Sequence, residues 1–161
     1  MTHMAHEHHY TLHVEWTGNL GTGTDHYRSY KRDHIVRIEG KPDLLGSADP
    51  HFRGDKSRHN PEDLLVAALS ACHLMSYLHV CAVNGVVVTA YTDRATGRME
   101  SYPDGSGRFV EVVLHPHVTV KDATMITKAI ELHRKAHELC FIANSVNFPV
   151  LHEPEVRSAD Q

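Results

Sequence analysis

Apolar and polar side chains alternate along several short stretches of the chain and recur with helical spacing along two longer ones. Alternation predicts a first strand over residues 10–16, and short apolar runs between turn residues predict further strands at 27–30, 34–38, 86–92, 97–100, 108–114 and around 150. Helical spacing covers residues 64–83 and 123–139. Strands before, between and after two long helices predict an α+β fold, with both helices packed on antiparallel sheet.

The first predicted helix has a strong start signal and almost no polar face. Asn60 is a favourable cap, Pro61 suits the first helical position, and Glu62 and Asp63 face the positive end of the helix dipole. From Leu64 onward nearly every side chain is apolar, and a helix without a polar face has to be buried on all sides. One chain of 161 residues could hardly cover it, so we expect a second copy of the chain to help.

Turn residues mark the other boundaries. Asn84-Gly85 is expected to end the first helix, residues 103–107 to form a hairpin turn, and Asp122 to cap the second helix. Pro116 is expected to limit strand structure in the residues that follow the predicted strand 108–114. Residues 40–60 form a long connection, and connections of this length inside a compact domain are usually functional.

Length, charge and composition restrict the class of protein. A chain of 161 residues is expected to form one domain, residues 1–161. The formal net charge of −4 offers no basic surface to nucleic acid. We expect no apolar run of the roughly 18–20 residues that span a bilayer. The start of the chain also lacks the basic and apolar stretches of a signal peptide. These features predict a cytoplasmic protein without a membrane partner.

Histidine is unusually frequent, with 16 residues in the chain. Several of them lie in residues 1–9, which predict a solvated, mobile tail with at most weak affinity for metal ions. The other histidines are scattered along the chain. Histidine content alone therefore does not predict a metalloprotein.

Two cysteines are the main candidates for chemistry: Cys72 in the first predicted helix and Cys140 just after the second. Cytosolic thiols stay reduced, so a separated pair there is more often redox-catalytic or metal-binding than structural. Cysteine reacts as the thiolate, which a nearby cation or a helix N-terminus favours. Cys72 lies too far along its helix for the helix dipole to help, so an arginine is expected to come from elsewhere.

Arg53 and Arg58, in the loop before the first helix, are the nearest candidates for that arginine, with Arg28 behind them. Glu62 is the obvious residue to hold it. Glu62 and Cys72 are about 15 Å apart along one helix axis, too far to share a site within one chain. Two antiparallel copies of the helix would bring Glu62 of one chain toward Cys72 of the other. The apolar helix and the distant carboxylate thus both predict a homodimer with shared sites.

A metal site is an alternative interpretation of the same region. His133 and His137 are spaced i, i+4 on one face of the second helix, and Cys140 follows three residues later. Cys72, His73 and His79 could add ligands, and sets of cysteine and histidine suit zinc. The chain has no CxxC and no HExxH pattern. Our prediction is therefore a protein without a bound metal or cofactor. Metal binding by these residues stays open as the alternative.

Residues 60–72, Asn-Pro-Glu-Asp-Leu-Leu-Val-Ala-Ala-Leu-Ser-Ala-Cys, resemble the cysteine-bearing helix of the OsmC/Ohr family of osmotically inducible and organic-hydroperoxide-resistance proteins. Trp16-Thr17-Gly18 and Cys140 fall where that family has equivalents, so the resemblance covers nearly the whole chain. It implies the OsmC-like fold, an intertwined homodimer of antiparallel sheets around two long central helices.

The resemblance also implies a thiol peroxidase that prefers organic hydroperoxides. In that mechanism Cys72 attacks the O–O bond and becomes a sulfenic acid, and Cys140 condenses with it to a disulfide. An arginine favours the thiolate, and a glutamate that matches Glu62 positions the arginine. The family's usual reductant is a dihydrolipoyl group, as on a lipoylated protein, or another dithiol. A non-catalytic stress or binding protein with the same fold is the remaining alternative.

Three positions depart from the family pattern. The aromatic residue that commonly follows the first cysteine is here His73, and the proline that commonly follows the second is Phe141. The glycine turn at residues 18–24 lacks the arginine of Ohr-type members. The predicted activating residue is therefore Arg53, as in the OsmC-type branch, with Arg58 as the open alternative.

Overall fold

The computed structural model describes residues 4–160, which form two α-helices and nine strands. The helices are α1 (Pro61–Val83) and α2 (Ile126–Leu139), and the strands are β1 (His13–Trp16), β2 (His34–Arg37), β3 (Leu44–Gly46), β4 (Val88–Asp93), β5 (Thr96–Ser101), β6 (Gly107–Leu114), β7 (Pro116–Val120), β8 (Val150–His152) and β9 (Glu155–Ser158). Contacts divide the chain into two compact units, and the boundary between Leu64 and Leu65 falls within α1. The single domain predicted over residues 1–161 remains a prediction.

The histidine-rich start of the chain is described only in part. Residues 1–3 lie outside the described range, and residues 4–9 are exposed and have no regular secondary structure. The exposure agrees with a solvated tail, and the mobility of that tail remains a prediction.

The first unit contains an antiparallel sheet in the order β1-β2-β3. The prediction of a strand at residues 27–30 is wrong, because these residues form turns and bends. Arg32 stabilises the turns: its guanidinium donates hydrogen bonds of 2.7 Å to the carbonyls of Tyr27 and Tyr30 and lies over both rings. Such contacts combine charge-assisted hydrogen bonds with cation–π attraction.

The turn after β1 is held by a close approach of two backbone segments. The indole N–H of Trp16 donates to the carbonyl of Lys31 over 2.8 Å. A Cβ on Gly18 would lie 1.9 Å from the same carbonyl oxygen, so only glycine fits at this position. The Trp-Thr-Gly pattern therefore has a local structural function.

The predicted long connection before α1 is an ordered segment that includes the unpredicted strand β3. The fully buried Ser47 hydroxyl donates to Asp33 and accepts the backbone N–H of Asp55, each over 3.0 Å. A Cβ on Gly54 would lie 1.6 Å from the carbonyl oxygen of Ala48. Close packing of backbone on backbone thus holds the segment in one conformation.

Helix α1 begins as its sequence predicts, because the Asn60 side chain accepts the N–H of Asp63 over 2.8 Å. One side of the helix is buried, at Leu69, Cys72, His73, Tyr77, Val80 and Cys81. The other side is exposed at three large apolar side chains: Met75 (64%), Leu78 (41%) and Val83 (66%). One chain therefore covers only half of the helix that the sequence predicts to be buried all round.

Helix α2 is shorter and amphipathic. Asp122 caps a short 3-10 helix, Ala123–Met125, that leads into it, which agrees with the predicted start. Its buried positions are Ala129, His133 and Ala136. The hydroxyl of Tyr77 on α1 donates to the carbonyl of Ala129 over 2.8 Å and links the two helices.

The second unit also contains two three-stranded sheets, in the orders β4-β7-β9 and β5-β6-β8. The predicted antiparallel pairing is confirmed for β4 with β7 and for β5 with β6. It does not extend to the third strand of each sheet, because β9 pairs with β7 in parallel and β8 pairs with β6 in parallel. The strand predicted around residue 150 is β8, and β9 was not predicted. Strand β7 starts at Pro116, where the sequence predicted no strand, since a proline without an N–H is tolerated as a first strand residue.

The sequence was expected to contain no segment long and apolar enough to span a bilayer. This expectation is wrong by length and composition alone, because α1 is long and apolar enough. One such helix is weak evidence for a membrane span, since the core helix of a folded protein meets them too. On α1, Leu69, Tyr77 and Val80 are at most 3% exposed and belong to two apolar clusters of the second unit. The buried side of α1 thus packs in the core of the second unit.

Candidate active site

The structure brings Cys72 and Cys140 together. Cys72 lies near the middle of α1, and Cys140 directly follows the last residue of α2. Their side chains are 9% and 1% exposed, and both are free thiols. The Cys72 side chain interacts with the Cys140 thiol closely enough to contribute to its raised pKa. Two residues far apart in the sequence therefore form one buried thiol pair.

The environment of Cys140 keeps its proton in place. Burial raises the pKa of this thiol to about 11, and the neighbouring Cys72 adds to the increase. The backbone N–H groups of Ala143 and Ile142 act in the opposite direction, since they donate hydrogen bonds to the sulfur. A cysteine that stays protonated at neutral pH is suited to react second, after its neighbour has been oxidised.

Arg53 has an unusual backbone conformation. It ends the short 3-10 helix Pro50–Phe52 with φ 65° and ψ 28°, and among residues 4–160 no other non-glycine residue has a positive φ. This left-handed conformation costs a residue with a Cβ roughly 1–2 kcal/mol. The side chain is exposed and takes part in none of the ion pairs formed within the described range.

The other predicted site residues of the first unit differ in what they contact. Arg58 lies 3.7 Å from the Asp33 carboxylate and donates to the carbonyl of His34 over 3.4 Å, so its guanidinium is already engaged. Arg28 is exposed. Glu62 is half-buried in the first turn of α1. All of them, with Arg53, belong to the unit that ends at Leu64, whereas the two cysteines belong to the other unit.

Four histidines from α1, α2 and β8 form a group that we call the histidine cluster: His73, His133, His137 and His152. Nε2 of His73 and Nδ1 of His133 are 3.0 Å apart, and the two rings stack almost in parallel with centroids 5.3 Å apart. The His152 ring lies 5.7 Å from His73, and the His137 ring 5.6 Å from His152. Tyr77 stacks on His133 at 3.8 Å.

Three rings of the histidine cluster are neutral at pH 7. Burial, reinforced by repulsion from His152 and His137, lowers the pKa of His73 to about 4. Burial and the neighbouring His73 and His152 lower the pKa of His133 to about 3. The pKa of His152 is also lowered, by burial and then by His137. Asp93 is the one carboxylate that acts in the opposite direction on His73, and its effect is the smallest.

The histidine cluster is not arranged as a metal site. The facing nitrogens of His73 and His133 point at each other and share a hydrogen bond, so they do not point at a common ion. Within residues 4–160 no three His, Cys, Asp or Glu side chains are placed to hold a metal ion. His79, a candidate ligand on α1, is exposed. The sequence signalled part of the cluster through the i, i+4 spacing of His133 and His137, but nothing in it pointed to His152.

Comparison with known proteins identifies the fold. A family model described as OsmC-like protein matches residues 54–155. An OsmC-like protein of unknown function from Vibrio cholerae has 31% sequence identity and a TM-score of 0.82 over 92% of this chain and 100% of the other. No curated protein matches the chain.

Two more distant structures share the fold. One is an organic hydroperoxide resistance protein OsmC from Legionella pneumophila, with 22% identity and a TM-score of 0.66 over 93% of this chain and 98% of the other. The second is an organic hydroperoxide resistance protein from Elizabethkingia anophelis, with 20% identity and a TM-score of 0.63 over 95% and 99%. Since the matched segment runs from the loop before α1 to the start of β9 and contains both cysteines, the chain belongs to the OsmC-like family.

Proposed function

We propose that this protein is a thiol-dependent peroxidase that reduces organic hydroperoxides. The Cys72 thiolate attacks the O–O bond and takes the terminal hydroxyl to become a sulfenic acid, while the released alkoxide takes a proton and leaves as an alcohol. The Cys140 sulfur then forms an S–S bond with Cys72, and its proton leaves with the hydroxyl as water. A dithiol, such as a dihydrolipoyl group on a protein, reduces the disulfide by thiol–disulfide exchange.

The observation that carries this proposal is the contact between two buried, free thiols, one on α1 and the other directly after α2. Cys81 provides a comparison within α1. It is also buried and burial also raises its pKa, but its neighbour is the Tyr77 side chain and not a second thiol. Only the pair of Cys72 and Cys140 has the partner that disulfide formation requires.

The names of two structurally similar proteins support the same activity. The proteins from Legionella pneumophila and Elizabethkingia anophelis are called organic hydroperoxide resistance proteins. Their identity to this chain is low, so the activity is supported by analogy of fold together with the thiol pair. Recycling of a disulfide by a dithiol suits a reducing compartment, and we propose the cytoplasm.

We assign the activation of Cys72 to Arg53. Arg58, the alternative, already contacts Asp33 and a backbone carbonyl, whereas the Arg53 guanidinium is exposed and available. The left-handed backbone at Arg53 supports this choice, because strained residues persist where the surrounding structure imposes them and they concentrate at functional sites. Glu62 would orient the guanidinium through a charge-assisted hydrogen bond.

We further propose that the protein acts as a homodimer with sites shared between chains. The exposed apolar face of α1 is one reason, since Met75, Leu78 and Val83 would be covered by a second copy. In the first unit, β1 is exposed along its length, with Val14 at 56% and Trp16 at 43%. The separation of about 15 Å between Glu62 and Cys72 along α1 is the other reason.

Thiol counting tests the catalytic proposal. After one equivalent of cumene hydroperoxide, the wild-type chain should lose two thiols, and turnover should continue when dihydrolipoamide is supplied. Cys140→Ser should lose one thiol and accumulate a sulfenic acid that dimedone traps. Cys72→Ser should consume no peroxide, and Cys81→Ser serves as the matched control that behaves as wild type. Peroxide consumption at the wild-type rate by Cys72→Ser would refute the assignment. No consumption by the wild type would favour a non-catalytic binding or stress protein.

A further inference from the structure

The hydrogen bond between His73 and His133 leaves an unsatisfied group in the core whichever way it is formed. Each neutral ring has one N–H, and one of the two rings uses it in the shared N–H···N bond. The N–H of the other ring is then on its outer nitrogen. Both outer nitrogens, Nδ1 of His73 and Nε2 of His133, are buried without a hydrogen-bond partner among the described residues. Whichever ring donates, one outer N–H has no hydrogen-bond partner among residues 4–160.

An apolar pair would avoid this cost at the same place. Both imidazoles are at most 1% exposed, and a leucine or phenylalanine packed there would leave no polar atom to satisfy. In some proteins a buried polar pair fixes one arrangement of the surrounding elements, because its hydrogen bond forms only in a narrow range of geometries. A buried polar pair at a place where an apolar pair would leave no group unsatisfied points to a function in arrangement and not in stability alone.

The position of the pair indicates which arrangement it controls. His73 directly follows Cys72 on α1, and His133 lies on the buried side of α2, whose last turn leads to Cys140. The backbone N–H of Cys140 donates to the carbonyl of His137, so the cysteine is attached to the end of α2. A bond between His73 and His133 therefore sets the position of α2 relative to α1, and with it the position of Cys140 relative to Cys72.

We propose that His73 and His133 are positioning residues for disulfide formation, because their shared hydrogen bond aligns α1 and α2 so that the two thiols meet. The inference rests on the proposed function of Cys72 and Cys140 and extends it. Neither imidazole hydrogen-bonds a thiol within the described residues, since each uses one nitrogen for the other ring and leaves the second unpaired. The pair acts on the second chemical step only, in which the S–O bond of the sulfenic acid breaks and the S–S bond forms.

Two substitutions at His73 separate hydrogen bonding from space filling. His73→Gln places an amide close to the position of Nε2, where it pairs with His133 in either tautomer, whereas His73→Leu fills the site and cannot form the bond. The step to measure is the conversion of sulfenic acid to disulfide in a single turnover with cumene hydroperoxide. His73→Leu should slow this conversion by up to about tenfold, the equivalent of one ordinary hydrogen bond, while the glutamine variant stays close to wild type. The initial loss of the first thiol should be unchanged in both.

Matched controls and a second oxidant complete the test. His117→Leu changes an exposed histidine on β7 in the same unit and should leave both steps unchanged. Diamide oxidises paired thiols without a peroxide, so the same order of rates with diamide supports the positioning role even if peroxide is not a substrate. Failure of peroxide alone would then count against the proposed function and not against this inference.

Two results would overturn the inference. The first is disulfide formation in His73→Leu at the wild-type rate. The second is that disulfide formation is slowed equally in the leucine and glutamine variants, which would mean that the shape of the ring matters and its hydrogen bond does not. If His73→Leu does not fold, the comparison of His133→Asn with His133→Leu applies the same logic, because an asparagine amide lies close to the position of Nδ1.

Discussion

Acid should destabilise the reduced protein through its buried histidines, and the size of the effect follows from their burial. His73 and His133 have pKa values of about 4 and about 3 in the folded chain, below the ordinary value near 6.5 that applies after unfolding. Between those values the unfolded chain binds more protons than the folded one. The free energy of unfolding therefore decreases as the pH falls from about 6.5 and stops decreasing once the folded rings are protonated.

The magnitude at pH 5 depends little on the folded pKa values, because both rings are still neutral there. A histidine with an unfolded pKa near 6.5 gains about 2 kcal/mol from protonation in the unfolded chain at pH 5. The two rings together should lower the free energy of unfolding by about 4 kcal/mol between pH 7 and pH 5, a large part of the 5–15 kcal/mol of a typical domain. His152 adds to the loss, and Asp93 opposes it for His73.

Urea denaturation of the reduced protein at a series of pH values measures this effect. His73→Gln should reduce the loss between pH 7 and pH 5 by about 2 kcal/mol, since glutamine does not titrate. His79→Gln, which removes an exposed histidine of α1 that forms no ion pair within residues 4–160, should retain the wild-type loss. If His73→Gln and wild type lose the same free energy over this interval, His73 is protonated in the folded chain at pH 5 and the burial argument fails.

Three further predictions concern the site and the helices. Arg53→Ala should slow alkylation of Cys72 by iodoacetamide at neutral pH while Arg58→Ala leaves it unchanged, and the reverse order would transfer the role to the second arginine. Mixing Cys72→Ser chains with Glu62→Ala chains should restore part of the peroxidase activity. Two results would exclude shared sites: no rescue despite proven subunit exchange, or sedimentation of the protein as a monomer at micromolar concentration. Tyr77→Phe should lower the free energy of unfolding by about 1 kcal/mol, because the hydrogen bond to the carbonyl of Ala129 is lost. Urea denaturation measures this as a lower midpoint, and an unchanged midpoint would mean that the hydrogen bond does not stabilise the folded chain.

The helices show how far local signals reach. The start of α1 was predictable because its determinants are neighbours in the sequence: Asn60 caps the helix, Pro61 occupies its first position, and the structure has both. The turn at residues 27–30 was not predictable as such, because Arg32 stabilises it by contacts outside the predicted segment. The pattern of apolar and polar residues over a short segment carries no information about contacts from a side chain outside that segment.

The strands show the same limit at longer range. The pattern of short apolar runs between turn residues located β4, β5 and β6 to within a few residues. It contained no information on the partner of each strand, so the parallel pairs β6–β8 and β7–β9 were missed. Pairing depends on which strands the remaining chain brings to the same sheet edge, and that choice is made by the fold as a whole.

The sequence by itself determined the family, the two helices and the identity of the two cysteines, since residue type and spacing along one element are enough for these. Only the tertiary structure decided that the Cys72 and Cys140 side chains meet, that His73, His133 and His152 stack, and that one face of α1 stays exposed in a single chain. Each of these depends on contacts between residues far apart in the sequence. Such contacts form because buried side chains from several segments have to fill a common core. The sequence of any one segment does not specify how that core is filled.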